Sequence, residues 1–186
     1  MDEKVFERLK VMHKNLAGSG IILIDGIISE EIGYEIEQVI DKVAESKKHA
    51  DIYINSPGGS ADAFLSIIAK MDAMSKNGMM FTTMCLDMAG CGAMLLLAAG
   101  TKRVCLKKSR ITMFQPLWIK DSEKTSSDEG MMEAGMAILK TKNKIEELFG
   151  KLTSKGSKSL KGELFEARTI TSGEALEAGI VDYIAG

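Results

Sequence analysis

The stretch that decides the fold is Asp51-Ile52-Tyr53-Ile54-Asn55-Ser56-Pro57-Gly58-Gly59. It is a short β-rich run that ends at Pro-Gly-Gly, and the pattern that follows is helical. Gly58 and Gly59 have no side chains to block a ligand and can adopt positive φ, so their main-chain N–H groups could hold an oxyanion. Pro-Gly-Gly is also a common strand-to-helix turn without any ligand, and this stretch alone does not separate the two interpretations.

A second stretch repeats the arrangement further along the chain. A predicted strand again breaks at small residues, at Gly90-Cys91-Gly92, and a helix follows from about Cys91 to Ala99. That helix is apolar on every face, which predicts a central, buried position. Its N-terminus is a place where free N–H groups and the helix dipole favour an anion.

Together the two stretches resemble ClpP, the proteolytic subunit family of the Clp protease, a serine peptidase family of the ClpP/crotonase fold. Asn55 to Gly59 is a near-literal match to the family's Asn-Ser-Pro-Gly-Gly signature, and the second stretch is similar to its nucleophile turn. Residues 109–116 resemble its Ser-Arg-Ile…His-Gln-Pro segment, and residues 167–182 resemble the segment that carries its aspartate. The resemblance runs in order over about residues 20–185.

The resemblance also shows where this chain departs from the family. Counting back from Ala98-Ala99-Gly100 places the family's serine on Cys91, whereas matching Gly92-Ala93 places it on Gly90. The family's histidine falls on Phe114 and its aspartate on Ala167. A degenerate triad at Cys91, Phe114 and Ala167 is therefore expected.

The expected oxyanion hole consists of Gly58, Gly59 and Gly92, but a nucleophile beside it also needs a base and a group that orients the base. Neither phenylalanine nor alanine can carry a proton. The two histidines, His13 and His49, do not lie on segments expected to face Cys91. The sequence thus predicts a fold that retains the oxyanion turn and lacks the protease triad.

The fold class is predicted to be α/β, a ClpP/crotonase-like β-β-α spiral with a mostly parallel sheet. Strands are expected at residues 51–55 and 79–86, Ser29 is expected to cap the helix that follows it, and Thr171 and Glu174 are expected to form a capping box. Residues 1–17 are expected to form an N-terminal leader helix or arm, and residues 18–186 a single domain. Within this domain, the resemblance implies a handle segment at about residues 120–156. Its helix is expected from about Asp128 to Thr153 and has an apolar stripe. The family's handle interlocks two stacked rings, which implies a protruding helix; packing on its own domain is the alternative.

Composition limits the classes of function. The chain has 186 residues, a net charge of −2 and a sequence pI near 5.8, which gives no reason to expect nucleic acid or anionic membrane as a partner. No signal peptide or span of transmembrane length is visible, and we expect a cytoplasmic protein with three reduced cysteines. No metal site, no cofactor and no P-loop for ATP is predicted.

Three functional hypotheses follow. The first is a triad-deficient ClpP-like subunit that forms a homo-oligomer of stacked rings, or a hetero-oligomer with an active ClpP, and meets an unfoldase ATPase. The second is an active peptidase that uses Cys91 as its nucleophile, with a base from elsewhere in the chain or from a neighbouring subunit. The third is a crotonase-type acyl thioester enzyme on the same fold, with Asp87 as the nearest carboxylate.

Overall fold

The computed structural model describes residues 16–113, 127–153 and 168–186. In these parts of the chain, strands and helices alternate, and seven strands form one mostly parallel sheet. The sheet has the order β1-β2-β3-β4-β7; β5 pairs in parallel with the end of β3 and antiparallel with β6. The strands are β1 (Ile21–Ile28), β2 (His49–Gly59), β3 (Met80–Gly90), β4 (Lys102–Leu106), β5 (Arg110–Met113), β6 (Arg168–Ile170) and β7 (Tyr183–Ala185). The helices are α1 (Glu30–Ala44), α2 (Ala61–Lys76), α3 (Gly92–Ala98), α4 (Asp128–Leu152) and α5 (Ser172–Glu177).

The α/β fold class with a mostly parallel sheet is therefore confirmed, and local signals fix where helices begin. The Ser29 hydroxyl accepts the N–H of Ile32 at 3.3 Å and caps α1, as the sequence predicts. Thr171 and Glu174 form the expected capping box at the start of α5. These caps satisfy N–H groups that a helix leaves without intrahelical partners, so the helix starts could be located from the sequence.

The main strands are longer than the sequence indicates. The strand expected at residues 51–55 runs on to Gly59, because Gly58 and Gly59 pair with Ile27 and Ile28 of β1 beyond a bulge. The strand expected at residues 79–86 similarly continues to Gly90 by pairing with β5. Glycine is a poor strand former by itself, and here pairing with neighbouring strands overrides that preference.

The core lies between the sheet and the helices. Every residue of α3 is buried, as its uniformly apolar sequence predicts. The apolar faces of α1 and α2 pack on the same core, and each fully buried large side chain there contributes about 1.5–3 kcal/mol relative to an exposed one. Within the described ranges, no helix combines the length and the apolar composition needed to cross a membrane. The side chains of 2% exposure or less include Ile36, Ile40, Val43, Phe64, Ile67 and Met71.

Helix α4 divides into two halves with different surroundings. In the second half Ile145 and Phe149 are buried against the domain. In the first half Met132, Met136 and Leu139 are 64%, 61% and 59% exposed, and they lie about 130° around the helix from the buried Ile145 and Phe149. The apolar residues that the sequence predicts as one stripe thus lie on two faces of the helix, and only the face with Ile145 and Phe149 is covered.

Arg103 connects the second half of α4 to the C-terminal part of the chain. Its Nη1 donates to the carbonyl of Leu152 at 2.9 Å and to that of Gly179 at 2.7 Å. Its Nε and main-chain N–H both donate to Asp182 Oδ2, at 3.0 and 2.9 Å. Hydrogen bonds from Arg103 lower the pKa of Asp182, so the carboxylate remains charged at neutral pH. One partly buried guanidinium therefore fixes the ends of two helices.

We expect Arg103→Ala to lower the free energy of unfolding by about 2–3 kcal/mol, because it removes the side-chain donors to two carbonyls and to the Asp182 carboxylate, which keeps the main-chain N–H of residue 103. Arg110→Ala is the matched control, since Arg110 pairs with Asp87 where both side chains are about 60% exposed. The control should change stability by no more than about 0.5 kcal/mol. Urea denaturation followed by circular dichroism measures both, and equal effects would contradict this role of Arg103.

Candidate active site

Cys91 occupies a sharp turn between β3 and α3. Its φ of 50° makes it the one described non-glycine residue with a positive φ, at a ψ of −118°. L-residues rarely adopt this conformation, which costs of order 1–3 kcal/mol. A strained turn from strand to helix is also the geometry that presents a nucleophile in hydrolases. Of the two positions that the sequence left open, Gly90 ends the strand and Cys91 occupies the turn.

The Pro-Gly-Gly stretch and the Cys91 turn lie in direct contact. A Cβ added to Gly58 would lie 2.6 Å from the carbonyl oxygen of Gly90 and 2.9 Å from the Cβ of Cys91. A Cβ on Gly90 would lie 2.7 Å from the carbonyl oxygen of Pro57. The two main chains approach this closely because glycine occupies the contact positions. The structure thus brings together the two stretches from which the sequence prediction started.

One of the expected oxyanion donors, the N–H of Gly58, already has an acceptor within the chain. The N–H of Gly58 donates to the hydroxyl of Ser56 at 3.0 Å, and Ser56 is fully buried. The main-chain N–H of Gly92 acts on the sulfur of Cys91, where it lowers the pKa of the thiol. Gly59, the third expected residue, pairs with Ile28 of β1. The sequence prediction missed the role of Ser56, although a serine two residues before a glycine N–H is a known turn signal.

The Cys91 thiol is protonated at neutral pH. The residue is 7% exposed, and burial raises the pKa of the thiol to about 11, while the hydrogen bond from Gly92 acts in the opposite direction. With that pKa, roughly one molecule in ten thousand carries the thiolate at pH 7. The thiolate is the reactive species, so the thiol as it stands is a weak nucleophile.

Histidine does not reach Cys91 within the described residues. His49 is the first residue of β2, where its Nε2 lies 3.0 Å from Asp51 and 3.1 Å from Thr82. Cys91 follows the last residue of β3, and β2 and β3 run in parallel, so the two side chains lie at opposite ends of the sheet. The second histidine, His13, lies outside the described residues.

Phe114 and Ala167, the expected positions of the family's histidine and aspartate, also lie outside the described residues. The described neighbours of the turn are threonines instead. The main-chain N–H of Cys91 donates to the carbonyl of Thr112 at 2.8 Å, and the Thr112 hydroxyl lies 3.1 Å from that of Thr169. A threonine hydroxyl is not a base at neutral pH. The described part of the site therefore contains a thiol and amides, with no proton acceptor for catalysis.

Asp87, the carboxylate considered for crotonase-type chemistry, forms an ion pair. Its Oδ2 lies 2.8 Å from Nη2 of Arg110, and both side chains are exposed. Among the described residues there is no group of three or more histidine, cysteine or acidic side chains that could hold a metal ion. A cavity of about 570 Å³ lies between α2 and the second half of α4, and none of the site residues lines it.

Comparison with known proteins identifies the family. The family model described as Clp protease matches residues 4–186. This chain belongs to the Clp protease family. It is 30% identical over 182 residues to the ATP-dependent Clp protease proteolytic subunit 2 of Bacillus licheniformis, covering 96% of this chain and 92% of that protein. The family resemblance stated from the sequence is confirmed, and the chain is a Clp protease-type subunit.

We expect the alkylation rate of Cys91 to increase about tenfold per pH unit from pH 7 to pH 10, because its thiolate fraction is far from saturation. Mass spectrometry after brief iodoacetamide treatment of the native protein measures the rate at each cysteine. Cys85 provides the matched control, because burial also raises its pKa to about 11. A rate at Cys91 that levels off below pH 8 would show an activated thiol and contradict this expectation.

Proposed function

We propose that this Clp-type subunit has no serine peptidase activity of its own and serves as a structural or regulatory member of a Clp protease assembly. The observation that carries this proposal is the Cys91 turn, where a protonated thiol stands without a described base. The amino acids at the positions that match the family's histidine and aspartate, Phe114 and Ala167, support it, since neither can transfer a proton. The turn and its close main-chain contact then maintain the fold without performing proteolysis.

The first half of α4 supports association with a second copy. Met132, Met136 and Leu139 lie on one face at spacings of four and three residues, and all three are exposed. We call this set the apolar stripe. Water contact with an apolar stripe is unfavourable, and a second helix would remove it from water.

The charges beside the apolar stripe favour an antiparallel partner of the same sequence. Glu129, Glu133, Lys140 and Lys144 follow one flank at spacings of four, seven and four residues. We call these four residues the charged row. Its first half is acidic and its second half basic, so an antiparallel copy would place residues of opposite charge beside each other.

A two-fold axis between residues 136 and 137, perpendicular to the helices, gives this antiparallel arrangement. It would place Glu129 of one copy opposite Lys144 of the other, and Glu133 opposite Lys140. In an isologous contact each pair occurs twice, which gives four pairs of opposite charge around the apolar stripe. We infer that α4 is the handle through which copies of this chain, or this chain and an active ClpP, join as stacked rings. The handle segment of about residues 120–156 and the single domain of residues 18–186 belong to this proposal.

An unfoldase ATPase and a cytoplasmic location complete the proposed setting. The curated relative is named as a subunit of an ATP-dependent protease, and such a protease needs a source of ATP hydrolysis. The sequence has no P-loop that would supply it, so a separate ATPase is the expected partner.

An active peptidase with Cys91 as nucleophile is the second candidate. The N–H of Gly92 at the sulfur favours it, because such a hydrogen bond stabilises a thiolate. Burial is the larger influence on this pKa and acts against it. The crotonase-type hypothesis has less support, because Asp87 is already paired with Arg110.

We expect the purified protein to hydrolyse fluorogenic peptides at the same rate as its Cys91→Ala variant, because no base for the thiol is present among the described residues. The assay compares both proteins with an active ClpP at equal concentration. A wild-type rate at least about tenfold above that of the variant would overturn the proposal and establish the Cys91 peptidase instead.

We expect reversal of half the charged row to weaken self-association about tenfold or more, since four like-charge pairs replace four opposite ones. One variant is E129K/E133K and the other is K140E/K144E. Multi-angle light scattering at low salt measures the molar mass of each variant. Each variant alone should have the mass of dissociated copies, and an equimolar mixture of the two should have the mass of the assembly. Failure of the mixture to reassociate, with both variants folded, would contradict the antiparallel arrangement.

A further inference from the structure

The apolar stripe contains two exposed thioethers. Met132 and Met136 are 64% and 61% exposed and stand one helical turn apart on the same face of α4. Methionine sulfur is oxidised to the sulfoxide, which converts a flexible apolar side chain into a polar one. Both residues lie at the middle of the proposed contact, so this change in polarity would affect the association between copies.

The cysteines do not compete for a mild oxidant in the folded chain. Cys85 and Cys105 are fully buried and Cys91 is 7% exposed. Burial also raises the pKa of all three thiols, so the reactive thiolate is scarce at neutral pH. Thioether oxidation needs no deprotonation, so it follows exposure.

We propose that Met132 and Met136 are an oxidation site through which peroxides weaken the association between copies of this chain. The inference rests on the proposed self-association through α4. In each event the sulfur lone pair attacks one peroxide oxygen and the O–O bond breaks. An S–O bond forms, and the other oxygen leaves as water once protons are transferred. The sulfur loses two electrons and the peroxide gains them.

The proposed two-fold axis explains why oxidation at these positions would separate the copies. The axis passes beside Met136, so both copies of this residue lie at the centre of the contact, and Met132 lies one turn away in each copy. Four sulfoxide oxygens would then need hydrogen bonds in a surface that offers mainly apolar side chains. Oxidation would act on dissociated copies, where the stripe is exposed, and would block their association.

Met131 provides a matched control within the same helix. It is 60% exposed, close to the values of Met132 and Met136, but it precedes Met132 by one residue and so points about 100° away around the helix. On dissociated copies, peroxide should oxidise all three methionines at similar rates. Only oxidation at Met132 and Met136 should affect association. The buried Met71 and Met94, each 1% exposed, should remain unoxidised while the protein is folded.

The experiment compares the wild type, M132L/M136L and M131L before and after treatment with hydrogen peroxide. Leucine preserves the apolar surface and cannot form a sulfoxide. Peptide mass spectrometry records the sulfoxides, and multi-angle light scattering records the assembly. We expect oxidation to raise the dissociation constant of the wild type and of M131L at least about tenfold. M132L/M136L should remain associated, and methionine sulfoxide reductases should restore the wild type.

The outcomes separate this inference from the proposed function. If untreated wild type and M132L/M136L are both monomeric, the proposed self-association fails and the oxidation site fails with it. If the wild type associates and remains associated with Met132 and Met136 fully oxidised, the oxidation site alone is rejected. Equal dissociation of M132L/M136L after treatment would also reject it, because another oxidised residue would then be responsible.

Discussion

The close contact between the main chains at Gly58 and Gly90 is the constraint on which the rest of the domain depends. It joins the ends of β2 and β3 at a separation that no residue with a Cβ would tolerate. That separation is reached where Cys91 forms a strained turn at the start of the buried helix α3. Packing against the surrounding core over-determines the strained conformation and keeps it in place.

The same contact explains why the Cys91 thiol is protonated at neutral pH. Burial beside Gly58 and Gly92 removes the sulfur of Cys91 from water, and this disfavours its charged form more than one amide hydrogen bond favours it. The N–H of Gly58 meanwhile has a partner in the buried hydroxyl of Ser56. A catalytic version of this turn would need a nearby base and a donor free to receive the substrate's developing charge.

Helix α4, unlike the buried Cys91 turn, is packed over only part of its length. Its second half is held by buried apolar contacts and by Arg103, whereas its first half presents the apolar stripe to water. A helix in isolation is only marginally stable, so the exposed half depends on the anchored half and on any partner that covers it. In such a helix the chemistry of a few exposed side chains can decide the state of assembly, because few other contacts contribute there.

The sequence by itself determined the family, the alternation of strands and helices, the caps at Ser29 and Thr171, and the burial of α3, because these follow from local patterns and short motifs. It also identified the stretches around Gly58 and Cys91 as a candidate site. Only the tertiary structure decided that β2 and β3 continue through their glycines, that Cys91 occupies the turn, and that Ser56 binds the Gly58 amide. It likewise decided which apolar side chains of α4 are covered and which are exposed. The physical reason is that strand ends, the pKa of a buried thiol and the exposure of a helix face are set by neighbours distant in the chain, which local spacing does not encode.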